Sequence, residues 1–224
     1  PAFASETKAD APDQAAFFGT SDAQVRGLLL NCNDNRDYPE QPESTAAVLG
    51  GNADEIVSFA KQYQFNTLFY EISPRADAAY RSNYLPSSRY ITSEEGGFVL
   101  TDPLDVVSLS LLYAGEVGDT FSAESSVILH PDWFITRGSS LYFDPRKEEV
   151  QEFWISVLTE LVENYNVDGI VLSDLDCFKD IDFVESTQEL ADRCIDAIHR
   201  IEPNMSCGVS VSFAAADQEL WRFY

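Results

Sequence analysis

The chain has 224 residues, of which 45% are hydrophobic and 12% aromatic, enough to form a packed core in one large domain or two small ones. Its 14 basic and 38 acidic residues give a net charge of −24, which repels nucleic acid and anionic lipid surfaces. No run of residues is apolar over the roughly 18 positions that a membrane helix needs. We therefore expect no nucleic-acid partner and no membrane-spanning segment.

The N-terminal residues suggest export from the cell. Pro1 to Ser5 have the small residues that end a signal peptide, and the stretch to residue 22 is polar and without periodicity. We predict a leader or linker over residues 1–22 and a folded domain over residues 23–224. The cysteines are far apart and form no C-x-x-C pair, so free thiols and one or two disulfides both remain open: Cys32, Cys177, Cys194 and Cys207.

The first half of the domain alternates apolar runs with helical periodicity. Strands are predicted at Val25–Cys32 and Asn66–Ile72, both apolar with a polar end. Between them a helix is predicted to start at Asn52, because Glu55 follows it at capping-box spacing. The stretch Pro74–Thr101 has no periodicity and predicts a long binding loop beside the strand ends.

The segments that follow continue the alternation of strand and helix. Val106–Tyr113 favours a strand, with a short helix as the alternative, and Val127–His130 predicts a short strand or turn. Asp144-Pro145 precedes the clearest helix, whose apolar stripe comprises Val150, Phe153, Trp154, Val157, Leu158 and Leu161.

The last third of the chain holds the most apolar strand. Ile170 to Leu172 form an uninterrupted apolar run, typical of a strand covered on both faces, and it ends at Asp174 and Asp176. A further helix is predicted from Ser186 and a further strand at Ser206–Phe213. The predicted fold class is α/β, a (β/α) TIM-barrel-like sheet with about five strands, incomplete or truncated relative to eight.

Three segments in order resemble the glycosyl-hydrolase-like family 10 proteins, bacterial TIM-barrel relatives of the glycoside hydrolases. They are Phe65–Ala78 (F-N-T-L-F-Y-E-I-S-P-R-A-D-A), His130–Trp133 (H-P-D-W) and Asn164–Ile170 (N-Y-N-V-D-G-I). The resemblance implies a (β/α) barrel, secretion or surface anchoring, and action on a cell-envelope or extracellular polysaccharide.

The chain departs from that family's pattern at the strand after Asp168-Gly169. Where the family usually has two consecutive acids, this chain has Ser173 and Asp174, and Leu175 replaces the family's tyrosine. Glu71 and Ser73 stand where the family prefers Gln and Arg. These departures leave activity in question.

Acids at the predicted strand ends are the candidates for catalysis. Glycoside hydrolysis needs one protonated and one ionised carboxyl group, and we assign Asp174 as the general acid with Glu71 as its partner. Asp34 and Asp176 are candidate substrate-binding residues at the same end. The alternative is that all four are solvated or loop-capping acids in an acidic chain.

Further substrate-binding candidates are aromatic or basic. Arg75 suits a carboxylate on an acidic sugar, or a structural pair with Asp77. Trp133 and Tyr84 suit stacking on sugar rings, as do Tyr70, Tyr80, Tyr90 and Tyr142, with core or loop packing as the alternative. His130, before Pro131, resembles a loop residue of the family and is a candidate for substrate binding, with a structural role as the alternative. Asp174, Asp176, Asp180 and Asp182 lack the spacing of a calcium loop, so we expect no metal and no cofactor.

Two functions therefore remain open. The first is an extracellular glycoside hydrolase that uses paired carboxylates on a polysaccharide. The second is a catalytically degenerate barrel that binds glycan or serves as a cell-surface or assembly module. An incomplete barrel exposes sheet edges, so we expect a second copy or another chain to cover them.

Overall fold

A computed structural model describes residues 25–31, 37–38, 46–88, 104–178 and 180–210. The predicted leader at 1–22, Asp34 and Tyr90 lie outside these ranges, as does the end of the strand predicted at Ser206–Phe213. Within the described ranges, no helix has the length and apolar character needed to cross a lipid bilayer.

Five parallel strands form the main sheet and confirm the predicted α/β class. Their spatial order is β1 (Gly27–Asn31), β2 (Thr67–Ser73), β3 (Leu104–Ser110), β7 (Gly169–Ser173) and β8 (Ser206–Val209). Each neighbouring pair is parallel. The five strands form an open sheet in the described part of the chain, so their C-terminal ends lie along one edge, where α/β folds carry their functional residues.

Helices cover one face of this sheet. Helix α1 (Ala46–Gln62) joins β1 to β2, α3 (Glu148–Asn164) precedes β7, and α4 (Ile181–Ile201) joins β7 to β8. The stripe predicted on α3 is confirmed, since Val150, Trp154, Val157, Leu158 and Leu161 are fully buried against the sheet and α4. Burial of the Trp154 side chain alone contributes roughly 4–6 kcal/mol to folding before the loss of conformational entropy is subtracted.

Two predicted helix starts are wrong. Asn52 lies inside α1, which begins six residues earlier, and Ser186 lies inside α4, which begins five residues earlier. In α4 the apolar stripe already starts at Phe183 and Val184, both buried. The Ser186 hydroxyl donates to the Asp182 carbonyl at 2.9 Å instead of capping a helix. Residue types typical of a cap also occur inside helices, where burial decides the boundary.

A second, antiparallel sheet was not predicted. It consists of β4 (Tyr113–Glu116), β6 (Ser140–Phe143) and β5 (Phe134–Arg137), in that spatial order. The strand predicted as one option at Val127–His130 is a helical turn, α2 (Ser126–Leu129), because Ser125 Oγ accepts the Val127 N–H at 3.3 Å and caps it. A 3₁₀ turn, Pro131–Trp133, follows.

The two faces of the main sheet differ in polarity near the strand ends. Glu71 lies opposite Ser108, and Ser110 lies opposite Ser173, in the parallel register. Because side chains two residues apart share a face, these four polar residues line the face away from the helices. The alternating residues Ile72, Leu109 and Leu172 are fully buried against the helices.

Candidate active site

Strand β7 delivers Asp174 to the edge of the sheet in an unusual backbone conformation. Asp174 directly follows the strand and has a φ of 58°, in the left-handed region that residues with a Cβ rarely adopt. Its backbone carbonyl accepts the Cys177 thiol at 2.9 Å. This local turn makes the Asp174 carboxylate part of the polar sheet face rather than of the next helix.

The fully buried Ser110 fixes the Asp174 side chain. Ser110 Oγ lies 2.5 Å from Asp174 Oδ2 and 3.5 Å from the Tyr113 carbonyl oxygen. Ser108 Oγ lies 3.4 Å from Ser173 Oγ, so hydroxyl groups connect β3 with β7 at two positions. The sequence held a signal for this contact: serines at alternate positions of a predicted strand, ending at its tip.

Glu71 on β2 is electrostatically coupled to Asp174. Burial raises the pKa of Glu71 above its usual range, and the negative charges of Asp174 and Asp77 raise it further. The structure therefore brings together the two residues that the sequence selected as a pair, together with Asp77, which sequence reasoning treated only as a neighbour of Arg75. A carboxyl group whose pKa is raised by burial and by a second carboxyl group nearby has the electrostatics expected of a general acid.

The remaining acid, Asp176, and the nearby thiol lie in the same turn. Burial raises the pKa of Cys177 to about 12, and the charges of Asp174 and Asp176 contribute. Because the thiolate is the reactive form, Cys177 is not a nucleophile at neutral pH. Cys177, Cys194 and Cys207 are free thiols, which decides between the alternatives for these three cysteines. Within the described ranges, no group of three or more His, Cys, Asp or Glu side chains has the geometry of a metal site.

Arg75 lies beside the acids in a small cavity after β2. Its lining includes Arg75, Asp77, Ser87, Asp119 and Phe121. Arg75 Nη1 is 4.0 Å from Asp119 Oδ2, an ion pair between residues that are distant in sequence, and the Arg75 side chain is 18% exposed. The guanidinium is thus accessible from the cavity while an acid from the loop after β4 holds it in place.

His130, Trp133 and Tyr84 line a separate groove. Its walls are the loop after β2, the turn around α2 and the N-terminal part of α3. The groove and the cavity have no lining residue in common among the described residues. His130 stacks on Trp133 with ring centroids 4.0 Å apart, and Phe153 lies 5.4 Å from Trp133. Tyr84 is 46% exposed. From the sequence, these three residues were expected at the same end of the sheet as the acids, whereas in the structure they line a groove separate from the cavity that contains Arg75 and Asp77.

Other aromatic candidates belong to the core. Tyr70 and Tyr80 are at most 2% exposed, so they cannot stack on a sugar, and the alternative of core packing is confirmed for both. Tyr70 packs against Tyr38, and Tyr80 against Tyr165. Tyr142 is half-buried between Tyr113 and Phe178. The sequence places these rings near the strand ends, but only the folded structure shows which of them are buried.

A buried acid anchors the loop that carries Tyr84. Glu160 on α3 is 6% exposed and accepts hydrogen bonds from Ser82 Oγ at 2.5 Å, from the Asn83 backbone N–H at 2.7 Å and from Asn83 Nδ2 at 2.6 Å. Ser82 Oγ in turn accepts the backbone N–H groups of Tyr84 and Leu85, both at 3.1 Å. These bonds hold the loop after β2 against the helix layer.

With this geometry in hand, the chain was compared with known proteins. No family model matches it. It is 24% identical over 170 residues to the glycosyl hydrolase YngK of Bacillus subtilis (strain 168), and 25% identical over 185 residues to the glycosyl hydrolase DigH of Escherichia coli (strain K12). The chain is similar to bacterial glycosyl hydrolases. Each match covers 69% of this chain but only 33% and 42% of the two relatives, so the chain spans less than half of their length.

The fold comparison agrees with the predicted barrel-like architecture. The structure is similar to alpha-L-fucosidase isoenzyme 2 from Paenibacillus thiaminolyticus, with a TM-score of 0.56, 11% identity, and coverage of 84% of this chain and 33% of that chain. Several neighbouring structures are TIM-barrel glycoside hydrolases, and the likeness concerns the fold. The described part of this chain contains five parallel strands.

Proposed function

We propose that this protein hydrolyses glycosidic bonds in an extracellular or cell-surface polysaccharide, using Glu71 and Asp174 as its acid pair. The carrying observation is the raised pKa of Glu71 next to Asp174 at the C-terminal edge of the parallel sheet. The similarity to glycosyl hydrolases supports the reaction class. Membership of the glycosyl-hydrolase-like family 10, export, and coverage of the edge strands β1 and β8 by another chain or domain belong to the same proposal.

The roles of the two acids are the reverse of those that the sequence suggested. Because burial and neighbouring charges favour the protonated form of Glu71, we assign Glu71 as the general acid. It donates its proton to the leaving glycosidic oxygen as the bond from that oxygen to the anomeric carbon breaks. Asp174, the second carboxyl group of the pair, attacks the anomeric carbon or removes a proton from the attacking water.

The cavity and the groove supply binding surface for the same substrate. Arg75 lines the cavity together with Asp77, an acid whose charge also raises the pKa of Glu71, so Arg75 would orient a polar substituent of the sugar there. Tyr84 offers an open ring face at the groove, where a more distant sugar unit of the polymer would stack.

Release of reducing ends from a panel of bacterial envelope and plant polysaccharides tests this function. We expect the intact protein to release them, and Glu71→Gln and Asp174→Asn each to lower kcat by at least about 100-fold. Glu163→Gln, a change at an exposed acid on α3, is the matched control and retains full activity. No release from any polymer by a folded protein would favour the glycan-binding alternative, which Ser173 in place of an acid also supports.

Aryl glycosides with activated leaving groups separate the two roles. Such leaving groups depart without protonation, so Glu71→Gln recovers much of its rate on them if Glu71 is the general acid. Asp174→Asn stays inactive on both kinds of substrate. The opposite pattern, with recovery only in Asp174→Asn, would restore the assignment made from sequence.

A further inference from the structure

One buried hydroxyl at the acid pair is not explained by packing alone. Ser110 ends β3, has no exposed surface, and is held in place because the next N–H group, that of Leu111, donates to the Ser173 carbonyl oxygen at 3.3 Å. Its Oγ is therefore fixed between β3 and β7. A buried hydroxyl normally bonds to the nearest backbone carbonyl, whereas this one lies much closer to a carboxylate.

The geometry determines where the single hydroxyl hydrogen points. Two acceptors are within reach: Asp174 Oδ2 at 2.5 Å and the Tyr113 carbonyl oxygen at 3.5 Å. A charged acceptor one ångström nearer takes the hydrogen, because charge-assisted hydrogen bonds are shorter and stronger than neutral ones. The Ser110 hydroxyl therefore donates to Asp174 Oδ2 and fixes the orientation of that carboxyl group.

The charged groups around the pair strengthen the argument. Glu71 from β2, Asp77 from the loop after β2, and Asp176 and Cys177 from the turn after β7 face the same region. A neutral donor here stabilises one carboxylate among several acids. Without it, the proton that the pair holds would be divided between Glu71 and Asp174.

We propose that Ser110 is a positioning residue, which orients the carboxylate of Asp174 beside Glu71. Its catalytic consequence rests on the proposed hydrolase function, but its effect on the two carboxyl groups does not. Ser110 itself touches no substrate, and it acts only through Asp174.

Carbon-13 NMR titration of the free protein tests the placement of the proton without any substrate. The carboxyl carbons of Glu71 and Asp174 are assigned from the spectra of Glu71→Gln and Asp174→Asn. In the wild type, we expect the titration step at higher pH to appear in the chemical shift of the Glu71 carboxyl carbon. In Ser110→Ala, we expect part of that step to appear at the Asp174 carbon. Thr187→Val removes a fully buried hydroxyl that donates to the Phe183 carbonyl oxygen within α4, and it leaves both titrations unchanged.

Two titration outcomes would overturn the proposal. The first is a spectrum of Ser110→Ala that titrates as the wild type does. The second is a Ser110→Ala spectrum in which the titration step stays on the Glu71 carbon and moves to higher pH. That result is expected if the hydrogen bond runs the other way, from a protonated Asp174 to Ser110 Oγ. Ser110→Cys keeps the side-chain volume with a weaker donor, so it should follow Ser110→Ala in the titration; wild-type behaviour would show that the hydroxyl is not responsible.

Kinetics complete the test once a substrate is found. Losing one hydrogen bond to a charged group should lower kcat about 10-fold in Ser110→Ala and Ser110→Cys, with KM unchanged. A redistributed titration together with an unchanged kcat would refute the positioning role. A redistributed titration in a protein that cleaves no polymer would keep the Ser110 contact and reject the hydrolase function instead.

Discussion

The left-handed conformation of Asp174 allows the strain at the site to be measured directly. Asp174→Gly and Asp174→Ala both remove the carboxylate and its bond with Ser110, so their difference in unfolding free energy reports only the backbone. A residue with a Cβ at a φ of 58° loses roughly 1–2 kcal/mol, and glycine loses none. Against this, glycine lowers the free energy of unfolding by about 0.4–1 kcal/mol, because it gives the unfolded chain more conformational freedom than alanine does. The glycine variant should therefore be more stable than the alanine variant by about 1 kcal/mol.

Urea unfolding followed by tryptophan fluorescence measures this difference, since the fully buried Trp154 reports on the core. In thermal unfolding, the same energy corresponds to about 2–4 °C in Tm for a chain of this size. Asp176 provides the control two residues later, because it is not among the residues with positive φ. There the order reverses, with alanine more stable than glycine. Equal stabilities of the two Asp174 variants would refute the argument that strain is stored at this residue.

Three further changes test other parts of the structure. Because the pKa of Glu71 is raised in the folded state, the stability of the wild type falls as the pH rises from the ordinary glutamate pKa to the raised one. Glu71→Gln should therefore be as stable as the wild type below this pH range and more stable than the wild type above it. Urea unfolding at several pH values measures the difference. Glu160→Gln places an amide N–H against Ser82 Oγ, which already accepts two backbone N–H groups. The loss should be about 2 kcal/mol, which lowers Tm by about 4–8 °C. Glu163→Gln, a change at an exposed acid of the same helix, should leave Tm unchanged. In Gly169→Ala the new Cβ would lie 3.1 Å from the Ser206 carbonyl oxygen, which should cost about 1–3 kcal/mol in chemical denaturation; a wild-type midpoint would show that β7 and β8 can separate at that point.

The order and identity of the parallel strands were predictable because they depend on local sequence. A strand covered on both faces must be apolar throughout, as Ile170 to Leu172 are, and polar residues must follow where the strand leaves the core. The same reasoning identified Glu71 and Asp174, since parallel strands bring their C-terminal ends to one edge. The antiparallel sheet of β4, β5 and β6 was missed because its strands are four residues long, too short to show a period.

Other features depended on distances that a sequence does not contain. The sequence pattern favoured Asp174 as the general acid, whereas burial and the neighbouring charges of Asp174 and Asp77 raise the pKa of Glu71. The contact of Ser110 with Asp174 joins residues 64 positions apart. Only tertiary structure sets it, because desolvation and hydrogen bonding depend on which groups the folded chain brings within a few ångströms. Sequence alone determined which residues reach the sheet edge, and the fold determined what each carboxyl group does there.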